Sequence, residues 1–155
     1  MSSLIEFREL ELFQEVLADV ADSYPLECEK ALNTIGNKLK RELIAKTPDG
    51  KDFSQIEDRK IRRKRESKKM KKRWHKKLER RSGGDLKLNI WNSNPAVGLV
   101  ERGHRIVDSR GREKGFVQGR HFIRSTALMA ETNIIPETVE KLYRKISRRV
   151  ERESR

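Results

Sequence analysis

Cysteine, proline and aromatic side chains are all scarce in these 155 residues, and each shortage narrows what the chain can be. A single cysteine, Cys28, cannot close an internal disulfide, and its place on an apolar helical stripe reads as a small buried hydrophobe. Three histidines, His75, His104 and His121, stand without metal-ligand spacing, so no structural or catalytic zinc site is expected. Gly103, Gly111, Gly115 and Gly119 do not spell a phosphate-cradling loop. Nothing local marks a shaped pocket with oxyanion donors, so the reading is of a protein that is not an enzyme, with no catalytic, cofactor-binding or metal-ligating residue. No run approaches the ~18 apolar residues of a spanning helix, and the amino terminus is acidic where a signal peptide would be basic. A cytoplasmic origin without membrane contact is the expectation.

Large hydrophobic side chains are also short. Hydrophobic residues make up 34 % and charged residues 39 %, with five Phe, two Trp and two Tyr to fill a core. A chain of this length makes one domain, 1–155, and its core must be thin enough to favour stability from an assembly.

What the chain has in abundance is positive charge, unevenly placed. Residues 1–58 hold 7 basic and 13 acidic residues, residues 59–81 hold 15 and 2, and residues 82–155 hold 15 and 9. The middle segment alone carries 15 − 2 = +13, the formal charge of the whole chain. Such a block repels itself too strongly to pack in a core, so it meets solvent, a neighbouring subunit or a polyanion.

Periodicity supplies the elements. Ser3 and Glu6 form a capping-box pattern ahead of an acidic amphipathic helix with Leu10, Phe13, Val16, Leu17 and Val20 on one face. Pro25 suits the first turn of a second helix, striped by Cys28, Leu32, Ile35, Leu39 and Leu43 and stopped at Thr47-Pro48-Asp49-Gly50. These two predict a helical hairpin over 1–47. Residues 51–85 read as a basic insertion, helical from Arg59 to Arg81, with Met70, Trp74 and Leu78 as a docking stripe and Ser82-Gly83-Gly84-Asp85 as a flexible joint. Leu86, Leu88 and Ile90 alternate as a strand, and a short element follows from Ala96 to Glu101. Gly103 to Gly115 reads as a polar loop, with Phe116 and Val117 a further short strand, so that 86–119 holds a small sheet and loop. Residues 120–155 complete the chain as a helix carrying Phe122, Ile123, Ala127 and Leu128, broken near Pro136, and a last helix with Val139, Leu142, Tyr143, Ile146 and Val150. The fold class is α+β: an amino-terminal helical hairpin, a small antiparallel sheet, a kinked carboxy-terminal helix and a basic helical insertion.

Eleven cations of the insertion are the candidate contacts for a partner or for DNA: Arg59, Lys60, Arg62, Arg63, Lys64, Arg65, Lys68, Lys69, Lys71, Lys72 and Arg73. A phosphate-backbone contact would weaken by about 0.9 log unit per log salt for each phosphate. Base stacking is not expected, because the one aromatic of residues 59–81, Trp74, sits on the docking stripe.

The carboxy-terminal half, NSNPAVGLVERGHRIVDSRGREKGFVQGRHFIRSTALMAETNIIPETVEKLYRKI, resembles the tail-component family of long-tailed bacteriophages, also described as tail-completion, neck or head-to-tail joining proteins. The likeness rests on Val100, Glu101, Gly103, His104 and Arg105, then Val117, Gly119, Arg120 and Phe122, then Pro136, with Thr47-Pro48 closing the second helix. It covers residues 26–48 and 86–147. The chain departs from the family after Thr47-Pro48, where Asp49-Gly50-Lys51-Asp52-Phe53 and the basic segment replace a short passage into the sheet.

The resemblance implies a structural virion protein that forms a ring at the head-to-tail interface, joining the tail to a DNA-filled capsid. It implies copies of itself as partners, a hexamer first, together with neighbouring head-completion and tail-terminator or tail-tube proteins. Glu101, Gly103, His104, Arg105, Gly119, Arg120 and Phe122 are then interface or loop residues, and a DNA backbone contact is a further candidate. No cofactor is implied, and assembly would occur in the host cytoplasm. Two alternatives stand beside it: a small basic protein that binds nucleic acid backbone through residues 59–81, and an assembly chaperone absent from the particle.

Overall fold

Pro25 opens the first described element as expected. The structure, a computed structural model, describes residues 24–153, so the acidic helix predicted from Ser3 lies outside the described residues. Helix α1 spans Pro25–Lys46, where proline's missing N–H costs nothing in the first turn. Helix α2, Arg59–Glu66, is followed by a 3₁₀ turn at Met70–Lys72 and strand β1 at Trp74–Arg80. Strand β2 (Leu86–Asn92), helix α3 (Val97–Arg102), strand β3 (Gly103–Val107) and strand β4 (Glu113–Gln118) come next. Helix α4 (Phe122–Met129), a π-helical turn (Ala130–Ile134) and helix α5 (Ile135–Glu153) finish the chain. The class is α+β, with two small antiparallel sheets of two strands, β1–β2 and β3–β4.

The chain gathers into two compact units, and α1 and the β1–β2 hairpin contribute to both. The first unit comprises residues through 39, 77–89 and those from 128 onward. Its core holds the upper stripe of α1. Cys28 and Ala31 pack on Leu142, with Leu86 and Ile146 alongside, and Ile35 packs on Ala130 and Ile134, with Leu39, Leu88, Met129 and Ile135 around them. Each leucine or isoleucine among these contributes about 1.5–3 kcal/mol on full burial. The expected carboxy-terminal stripe is only partly core: Leu142 is buried, whereas Tyr143 is 72 % exposed.

Pro136 has a local consequence. It lacks the N–H for a bond to residue 132 and its ring crowds that carbonyl, and the wider π turn lies immediately before it. The expected break in the last helix is this π turn within one continuous helical run.

The second unit comprises residues 40–76 and 90–127. Trp74 is its anchor: the indole Nε1 donates to Thr47 Oγ1 at 2.8 Å, and the ring meets Phe122 edge-on at 6.4 Å between centroids. Thr126 is fully buried, and its hydroxyl donates to the Phe122 carbonyl.

Two expectations are corrected here. Helix does not run from Arg59 to Arg81; it ends at Glu66, and Trp74–Arg80 is a strand. Met70, Trp74 and Leu78 match a helical spacing, but Trp74 and Leu78 also share one side of a period-two pattern, and pairing with β2 decides between them. Ser82-Gly83-Gly84-Asp85 is accordingly the hairpin turn, with Gly83 and Gly84 at φ 107° and 91°, values that side chains rarely adopt. Gly103 to Gly115 is not a loop either. Residues 103–107 pair antiparallel with 113–118, Gly103 opposite Gln118 and Arg105 opposite Phe116, with an irregularity between Ile106 and Val107. A two-stranded ribbon without a buried face needs no apolar alternation, which is why its polarity read as loop. The element expected at Ala96 to Glu101 is helix α3.

Candidate functional site

Helix α2 presents six of the eleven candidate cations, Arg59, Lys60, Arg62, Arg63, Lys64 and Arg65, and none of its residues is buried. Asp58 starts it by accepting from the amides of Lys60 and Ile61 at 2.7 and 3.1 Å. Glu66 ends the helix, and the turn behind it carries Lys68, Lys69, Lys71, Lys72 and Arg73. Some of these charges are committed locally: Arg65 and Lys69 lie over the Phe53 ring at 5.9 and 5.4 Å, and Lys71 pairs with Asp49. That ammonium, by hydrogen bond and charge, holds the Asp49 carboxyl below its ordinary pKa. Lys68, Lys72, Arg73 and the remaining cations of α2 have no ion pair among the described residues.

The turn is fixed to the end of β2. Asn92 Nδ2 donates to the Met70 carbonyl at 2.8 Å, Asn94 Nδ2 to the Lys68 carbonyl at 3.0 Å, and the Ser93 amide to the Arg73 carbonyl at 2.9 Å. Next to this seam His75 and Trp91 stack at 5.4 Å between centroids, 27° from parallel. Trp91 was absent from the candidate residues, although the alternation of Leu86, Leu88 and Ile90 assigns it to the strand's other face.

The residues of the family pattern come together at the base of the β3–β4 ribbon. Glu101 accepts from the amides of Ile123 and Arg124, both at 2.9 Å, and so caps α4 from the end of α3. The Glu101 carbonyl accepts from the His121 amide, and the Val100 carbonyl from that of Arg120. Gly103 and Gly119 allow the two chain segments to touch. A Cβ on Gly103 would lie 2.4 Å from the Val117 carbonyl oxygen, and one on Gly119 would lie 2.4 Å from the Glu101 carbonyl oxygen. Phe122 is buried against Trp74. Glu101, Gly103, Gly119 and Phe122 thus build the ribbon's foundation.

Arg105 and His104 lie on the ribbon itself. Arg105 reaches Glu113 across the strands at 3.7 Å, and His104 is half-buried with Nδ1 unpartnered among the described residues. Arg120 carries an exposed side chain. At the far end, Asp108 Oδ1 accepts from the Arg110 and Arg112 amides at 2.9 Å, which closes the turn and holds the Asp108 carboxyl below its ordinary pKa.

A second basic surface lies in the first unit, where an open cleft of about 670 Å³ is lined by Glu27, Lys141, Arg144, Lys145, Arg148, Arg149 and Arg152. Spread over a helix and diluted by acids, this row produced no charge block in the sequence. Among the described residues no cluster of His, Cys, Asp and Glu could hold a metal ion, and no helix is long and apolar enough to cross a membrane.

A family model described as Bacteriophage HK97-gp10, putative tail-component, matches residues 13–103, more than half of the chain. The chain belongs to this family of phage tail components. The family is one of structural phage proteins rather than enzymes, and a tail component belongs to the virion. No curated protein and no solved structure matches the chain. The matched span of this tail component includes the basic segment that the sequence pattern had set apart, and it ends at Gly103, where the ribbon begins. The likeness noted at residues 104–147 therefore rests on the sequence pattern alone.

Proposed function

We propose that this tail component forms a ring at the head-to-tail interface, as a tail-completion or neck protein joining the tail to the DNA-filled capsid. The β3–β4 ribbon carries the reading. Its two strands expose Ile106, Val107, Phe116 and Val117 at 42–57 %. A two-stranded sheet is marginal alone, and its edges invite pairing with another chain. Apolar side chains and open edges on one projection suit a head-to-tail contact between copies, which closes into a ring when the rotation permits. A hexamer is the expected number, with head-completion and tail-terminator or tail-tube proteins as the neighbouring layers.

Native mass spectrometry and negative-stain microscopy of the purified protein, beside Phe116→Glu, test this. A ring in the wild type and monomers in a folded variant support it. Monomers in both, at concentrations that permit joining of isolated heads and tails, would remove the ribbon from assembly. A second reading, contact with nucleic acid through the basic segment, is favoured by the absence of any buried residue in α2. Within 59–81 the helix ends at Glu66, and Trp74–Arg80 presents its residues from a strand.

A further inference from the structure

We propose that the Trp91–His75 stack and the basic turn fixed beside it bind an unpaired segment of nucleic acid, with bases on the rings and phosphates on the cations. Trp91 is 45 % exposed, and His75 beside it is exposed as well. Trp74, next to His75 in β1, points into the core, so the rings of the stack are the outward aromatics of the β1–β2 hairpin and not displaced parts of the interior. The His75 ring is held by Ser93 Oγ at 3.0 Å from Nε2, which keeps the pair stacked before any ligand arrives.

Phosphate-binding charge is built into the same place. Three consecutive residues after Trp91, namely Asn92, Ser93 and Asn94, hydrogen-bond to the carbonyls of Met70, Arg73 and Lys68. The backbone bearing Lys68, Lys72 and Arg73 is thus stitched to the strand bearing Trp91. No acidic residue occurs in 67–76 or in 90–100, so nothing in either segment repels a polyanion. An exposed aromatic face combined with a cationic track is the chemistry that holds single strands, since every base offers a π-face and every nucleotide a phosphate. A duplex keeps its bases stacked internally and would use only the cations. An acidic peptide would likewise have no use for the rings. The inference does not depend on ring formation.

The test is titration of the full chain with a short oligothymidylate, the same length of duplex, inorganic polyphosphate and polyglutamate, following tryptophan fluorescence and salt dependence. Oligothymidylate should bind most tightly and quench the emission. Trp91→Ala should weaken oligothymidylate by about tenfold or more while leaving polyphosphate unchanged, and Trp91→Phe should restore most of the affinity without the quench. Lys72→Gln should reduce the single-strand salt slope by about 0.7. Equal affinity of Trp91→Ala for oligothymidylate would overturn the proposal, as would duplex or polyglutamate binding as tight as the single strand. Because oligomeric state is read separately by native mass spectrometry, loss of the stack's ligand and loss of the ring are distinguishable.

Discussion

The two basic surfaces of this tail component differ in what lies between their charges. On α5, Lys141 pairs with Glu137 at 2.5 Å, Arg144 pairs with Glu140, and Arg149 reaches Glu27 at 3.0 Å. Glu137 also takes Lys38 at 3.2 Å. Across residues 59–73, eleven cations share one acid in sequence, Glu66, and, among the described residues, one ion pair, Lys71 with Asp49. Acids thus answer three of the six cleft cations of α5, two of them from one helical turn away, while Lys145, Arg148 and Arg152 have no ion pair among the described residues. A run that lacks such acids keeps its field for something outside the molecule. Charge density alone would rank the two together; charge partnering separates them.

Reversal tests this most severely. Glutamate at Arg62, Arg63, Lys64 and Arg65 should give a folded protein, since α2 buries nothing, yet one with which heads and tails fail to join. Glutamate at Lys141 and Arg144 should do the opposite. Each change replaces an attraction to the acid one turn earlier with a repulsion, so the thermal midpoint falls while joining by the folded fraction continues. Joining assays beside thermal melts separate the two. Normal joining by the α2 variant would remove that helix from the mechanism.

A second experiment asks whether the charges or their anchorage matter. Trp74 ties the basic turn to its unit through Thr47 and Phe122. Trp74→Ala should cost about 3–5 kcal/mol in urea unfolding and abolish joining although every cation of α2 remains. Retained joining would mean that α2 acts without its support.

How far the sequence disclosed these surfaces follows from the range of the interactions behind them. Helix α1 was legible at both ends because Pro25, its apolar stripe and Thr47-Pro48 are local signals. The π turn was foreshadowed by Pro136 for the same reason. Strand β1 was not, because its lysine-rich composition suits a helix and only its pairing with β2 overrides that preference. Of the ribbon only Phe116 and Val117 were legible as strand, because it has no buried face to impose a period on the rest. Among candidate site residues, the α2 cations were visible as composition, whereas the structural duties of Glu101, Gly103 and Gly119 depend on contacts between segments 14 to 23 positions apart.

Glu101 allows a smaller test of that division. Its carboxylate receives two amides at the start of α4, so Glu101→Ala should cost about 1–2 kcal/mol, with hydrogen exchange at Ile123 and Arg124 accelerated first. If Glu101 instead served a partner directly, stability and exchange would be unchanged while joining fell.

The smallest effects lie in pH. Glu137 is held below its ordinary 4.5 by the hydrogen bond from Lys141 and then that from Lys38, and Asp49 below its ordinary 3.8 by the hydrogen bond and charge of Lys71. A carboxyl whose folded pKa is depressed stabilises the fold above its unfolded value, and that contribution disappears as pH falls through the folded one. Acid should therefore dissolve the partnering on α5 and leave Lys38 and Lys141 without their acid, so that α5 comes to resemble α2. Carboxyl-detected NMR titration can follow this residue by residue. Lys141→Ala should move the Glu137 midpoint upward toward 4.5, and Lys71→Ala should move that of Asp49 toward 3.8. Unmoved midpoints would mean that solvent screens these pairs completely, and the contrast between the two surfaces would then rest on α2's exposure alone.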